Sequence, residues 1–156
     1  MDDDPPAQTI EEPNDAEREW IAGTLLSAAD IVRSYVDDDV GWAPSDLALL
    51  DSVFASWLED WLQPPESERV DPNPFINAFG IAFGQALVDG LGLEWKVVTD
   101  SDGTEMAVHG DSYDFLVFPP NLVAKRFVAQ ETMFLEPIYD EIARMLSDAR
   151  KGRFPS

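Results

Sequence analysis

The chain has 156 residues, 45% of them apolar and 11% aromatic, which is enough to bury one core rather than stay disordered. Its 31 acidic and 10 basic side chains leave a formal net charge of −21, so neither a phosphate backbone nor an anionic membrane is expected as a partner. The absence of cysteine excludes disulfides, thiolate catalysis and cysteine-ligated metal centres, and the single histidine, His109, has no second histidine to complete a metal set.

The acidity is concentrated early: residues 1–72 carry 19 of the 31 acidic side chains and 3 of the 10 basic ones. The opening residues, from Met1 through three aspartates to Pro5 and Pro6, show neither a cationic nor an apolar leader segment. No run approaches the roughly 18 apolar residues of a membrane span. With cysteine also missing, the expected location is the cytoplasm. Residues 1–12 offer little to bury and are expected as a flexible acidic tail.

A first helix is predicted to start at Asn14, with Glu17 completing an Asx form of the capping box. Trp20, Ile21, Leu25, Ala28, Ile31, Val32, Tyr35 and Val36 follow at helical spacing, and Asp37, Asp38 and Asp39 oppose the helix dipole at its end. Ser45 is the expected cap of a second helix that presents Leu47, Leu50, Phe54, Trp57, Leu58 and Trp61 on one face. Pro64 and Pro65 stop it, and residues 64–74, with four prolines, read as a linker.

The third helix opens with Asn73 as cap and Pro74 in its first position. It is apolar nearly all round through residue 91, apart from a thin polar stripe of Asn77, Gln85 and Asp89, and so belongs at the centre of the domain. Gly80 and Gly84, four apart, each cost about 1 kcal/mol relative to alanine inside a helix, so a close backbone approach is expected there. Gly90 or Gly92 ends the helix.

Residues 93–99 then alternate as a half-buried strand, with Leu93, Trp95 and Val97 inward. Two more short strands, 104–109 and 113–118, follow turns at Asp102-Gly103 and Gly110-Asp111, making an antiparallel meander. Pro119 and Pro120 are read as its terminator, 121–127 as a short helical turn, and 131–151 as a final helix with acids early and bases late. The expected fold is α+β: a three-stranded antiparallel meander covered by the central apolar helix and the C-terminal helix, with an N-terminal helical hairpin. The units are the tail 1–12, an acidic hairpin 13–63 and an α+β part 73–151, the last two forming one compact body.

Phe79-Gly80, Phe83-Gly84, Leu91-Gly92, Trp95, Asp102-Gly103, Phe118-Pro119 and Val123-Ala124-Lys125-Arg126 form a pattern over roughly residues 73–130. It resembles a bacterial family of small domains of unknown function. That resemblance implies no catalytic or binding residues, and it leaves the hairpin before Pro64 outside.

Several side chains could carry chemistry. His109 beside Asp111 or Asp114 would suit a general base, but a half-exposed strand-end side chain at a turn is the simpler reading and the one adopted. The run from Asp100 to Glu105 has its glycine in the wrong place for an EF-hand and reads as a hairpin turn. Asp37, Asp38 and Asp39, being consecutive, point in different directions and do not converge on one cation unaided. Lys125 and Arg126 are a basic pair in an acidic chain, able to hold a carboxylate or phosphate or to pair internally. Trp57 and Trp61 are either core or, beside Glu59 and Asp60, an acid-rimmed aromatic interface patch.

No catalytic residue, metal site or cofactor is assigned. The leading expectation is a small acidic, non-catalytic cytoplasmic module that docks on a basic protein partner, in the manner of an immunity protein, chaperone or adaptor. The alternative is a small-anion-binding or hydrolytic domain using Lys125, Arg126 and His109. Adaptation of the surface to high salt is a third reading.

Overall fold

The computed structural model describes residues 8–36, 42–110 and 115–152. Their order is β1 (Thr9–Glu11), α1 (Asp15–Tyr35), α2 (Leu47–Leu62), a short 3-10 turn (Glu66–Glu68), α3 (Asn73–Leu91), β2 (Glu94–Asp100), β3 (Gly103–Gly110), β4 (Phe115–Val117), α4 (Pro119–Val128) and α5 (Leu135–Gly152). The class is α+β, as expected.

Local rules place the helix ends. Asn14 accepts from the Glu17 amide at 2.8 Å while the Glu17 carboxylate accepts from the Asn14 amide at 2.8 Å, closing the capping box. The cap of α2 is Asp46, not Ser45, because the aspartate carboxylate reaches the Leu49 amide at 3.2 Å. Gly92 ends α3 in the left-handed region, at φ 69°. Pro119 and Pro120 do not end a strand region only; they fill the first turn of α4, where a missing N–H costs no helical bond and φ is already helical.

α3 is the hub. It packs on the other four helices and on β2 and β3. Phe79, Phe83 and Leu87 are fully buried there among Val32 of α1, Phe54 of α2, Val108 of β3, Val123 of α4 and Leu135 at the start of α5. Its two interior glycines do what their spacing suggested. A Cβ on Gly80 would sit 2.5 Å from the Pro120 Cα, and one on Gly84 would sit 2.3 Å from the Trp95 ring. The start of α4 and the Trp95 indole therefore rest directly on the α3 backbone, and Trp95 Nε1 donates to Gln85 Oε1 at 2.9 Å. The glycines, Trp95 and Phe118-Pro119 of the family-like pattern thus make one packing joint.

Two expectations about the sheet change. It has four antiparallel strands in the order β1-β2-β3-β4, not three. Thr9, Ile10 and Glu11, placed in the expected tail, pair with Thr99, Val98 and Val97 of β2. Glu12 follows and pairs with both Lys96 and Arg18, and the hydrogen bond from Lys96 holds its carboxyl below the usual range. A three-residue strand is too short for alternation to show, so pairing and these contacts decide it. Second, α5 packs against α2 and α3 and not over the sheet. No described helix is long and apolar enough to cross a membrane.

Candidate functional site

Trp57 and Trp61 divide between core and groove edge. Trp57 is core: it stacks on Phe75 with centroids 5.1 Å apart and meets Phe54, Phe79 and Phe127. Trp61, one turn on, is half-buried. It lies edge-on to Phe127 at 4.9 Å, its Nε1 donates to the Val70 carbonyl at 2.9 Å, and the Arg69 guanidinium lies 5.1 Å over its ring. Arg69 also donates to the carbonyls of Leu62 and Pro64, satisfying acceptors at the end of α2. The result is a groove of about 300 Å³ between the end of α1 and the linker, with Tyr35, Trp57 and Trp61 inside and Asp60 and Glu68 on its walls. Tyr35 donates to Asp60 at 2.8 Å, and its hydroxyl pKa is pushed up to about 12, first by burial and then by that carboxylate. Asp37, Asp38 and Asp39 lie outside the described residues.

Lys125 and Arg126 both line a second hollow, of about 240 Å³, beside β4. Arg126 is already engaged: it pairs with Glu131 and lies 5.9 Å over Phe134. Lys125 is exposed and makes no ion pair with a described residue. His109 sits across from Leu116 in the β3–β4 register, yet is not among the residues lining the hollow. The three residues of the alternative reading are thus not gathered around one cavity. Asp111 and Asp114, considered as partners of His109, lie outside the described residues. In the β2–β3 turn, Asp100 accepts from the Asp102 amide at 2.8 Å and Gly103 takes φ 130°, the geometry of a hairpin.

A third hollow involves residues that the sequence pattern assigns elsewhere. Helical spacing puts Trp20 on the buried side of α1, but the buried residues there are Ile21, Ala28 and Val32. Trp20 precedes Ile21 and so points about 100° round the helix from it. It remains 43% exposed. With Glu17 it lines a cleft of about 350 Å³ whose other walls are Asn77 of α3, Val97 and residues 104–106 of the sheet, and Phe118, Pro120 and Asn121 at the start of α4. A neighbouring hollow of about 280 Å³ meets it at Trp20 and Asn77, and runs on past Thr24, Ser27, Asp71 and Asn73. Among the described residues, no Lys or Arg lines either hollow. The signal in the sequence was the stripe Glu17, Trp20, Thr24, Ser27 at helical spacing, which is polar apart from its one indole.

A crystal structure of a protein from Bacteroides thetaiotaomicron VPI-5482 superposes on this fold with a TM-score of 0.69 and 14% sequence identity, covering 91% of this chain and 49% of the other. At that identity the likeness is one of fold alone, and this chain spans about half the length of that protein. No curated protein matches the chain. A match to the family described as Domain of unknown function (DUF3806) runs over residues 51–139, more than half of the chain. It reaches further than the pattern read over 73–130 and takes in most of α2, which that reading left outside. From Asp51 on α2, through the α3–α4 joint, to Tyr139 on α5, the chain belongs to this family of domains of unknown function.

Proposed function

We propose that the chain is a non-catalytic, cytoplasmic protein-binding module that docks on a basic protein partner, in the way an immunity protein, chaperone or adaptor does. What supports this reading is how its charge is used. Among the described residues every carboxylate is exposed except buried Asp51 and half-buried Glu17. Most of the few cations are consumed within the fold. Arg18, Arg33, Lys96 and Arg126 sit in ion pairs, while Arg69 and Arg150 donate to helix-end carbonyls. The surplus negative charge therefore faces solvent without internal compensation, and it raises encounter rates with positive surfaces.

The test is selection from a display library of random peptides at physiological salt. The expected outcome is enrichment of lysine- and arginine-containing sequences, with affinity falling as salt rises from about 50 to about 200 mM. Enrichment of sequences without cationic bias, or no enrichment, overturns the proposal.

A further inference from the structure

Given that reading, we infer that the cleft at Trp20 is where the partner docks, and that its occupant is an extended basic segment of the partner. Three observations converge. The first is the exposed indole of Trp20, a large rigid apolar surface at the meeting point of the two hollows, beside Phe118. Indoles in such positions recur as anchors of protein contacts, and their faces also attract cations.

The second is a pair of uncommitted amides. Gln85 and Asp89, the other members of the α3 polar stripe, are occupied: Gln85 accepts from Trp95 and donates to Asp89. Asn77, by contrast, makes no side-chain hydrogen bond to a described residue, and neither does Asn121 across the cleft. Each amide offers a donor and an acceptor together. The backbone of an extended chain presents the same alternation, whereas a helix has already satisfied its own.

The third is charge. Glu17 and Glu105 line the first hollow and Asp71 the second, with no Lys or Arg in either among the described residues. The walls suit a positive segment and disfavour an acidic one. An extended peptide with alternating cationic and apolar side chains would put its apolar side on Trp20 and Phe118 and its cations toward Glu17 and Glu105.

The experiment uses the full chain and a labelled synthetic peptide alternating lysine with valine, with fluorescence anisotropy as readout. Glutamate-for-lysine and serine-for-lysine versions are the controls. Trp20→Ala is expected to weaken binding about tenfold, the loss of one central anchor. Asn77→Ala should weaken it several-fold, and Glu105→Gln should flatten its salt dependence. Asp60→Asn, in the Trp61 groove, should leave it unchanged. Equal binding by wild type, Trp20→Ala and Asn77→Ala overturns the cleft assignment while leaving the module reading in place, as does loss on Asp60→Asn alone. Equal binding of the serine peptide overturns the basic occupant. Self-association that competes with the peptide, seen by light scattering, would put a second copy in the cleft instead. If no lysine peptide binds the wild-type chain, the broader reading fails along with this one.

Discussion

Asp51 is the one charged side chain buried among the described residues, 1% exposed on the inner face of α2. Its two carboxylate oxygens accept from the Leu135 amide at 2.8 Å and the Glu136 amide at 2.9 Å, so one helix caps the start of another 84 residues away. Those amides are among the donors that a helix leaves without partners in its first turn, and a carboxylate there also meets the positive end of the dipole. Asp51→Ala removes the acceptor from a buried site and should cost about 2 kcal/mol or more, read as a lower urea midpoint with unchanged slope. Burial raises the Asp51 carboxyl above its ordinary 3.8, although the backbone amides pull it down. The folded chain then holds this proton more tightly than the unfolded one. Its contribution to stability is therefore fully present below pH 3.8 and declines as pH rises through the folded value. Asp51→Asn should flatten that part of the stability–pH curve. The residue was visible in the sequence as an acid within the stripe Leu47, Leu50, Phe54, but nothing local said what it would meet.

Helices and strands show how much of the fold local pattern carries. The glycine pair of α3 was readable because two costly residues one turn apart need a reason, and the Pro120 backbone supplies it. The same substitution should have opposite signs in two helices. Gly80→Ala drives a methyl into the Pro119–Pro120 backbone and should destabilise by about 1–3 kcal/mol. Gly23→Ala, at an exposed position of α1 with open space around its Cβ, should stabilise by about 0.5–1 kcal/mol. Thermal unfolding of the two single variants decides it, and a shared sign would refute the packing account. β1 was not readable, since three residues carry too little periodicity and the partners of Thr9, Ile10 and Glu11 are Thr99, Val98 and Val97 of β2, far along the chain.

For the molecule as a whole, a net charge of −21, with all but two of the described carboxylates exposed, repels itself in the compact state. The exposed ion pairs, such as Arg18–Glu12 and Arg33–Asp30, contribute little each and are screened together with that repulsion. Raising sodium chloride from about 10 to about 150 mM should therefore raise Tm, measured by calorimetry, while the same change weakens any contact with a basic partner. A Tm that falls with salt would mean that the attractive pairs outweigh the repulsion. The net charge, the helix periods, the central place of α3, the strand-rich stretch and the need for glycine at two positions all followed from the sequence alone, because propensity, periodicity and charge act within a few residues or sum over the whole chain. Tertiary structure alone decided that Asp51 meets α5, that Trp57 is core while Trp61 edges a groove, and that Trp20, Asn77 and Asn121 share a cleft. Those convergences join segments distant in the chain, and only packing around α3 brings them within reach of one another.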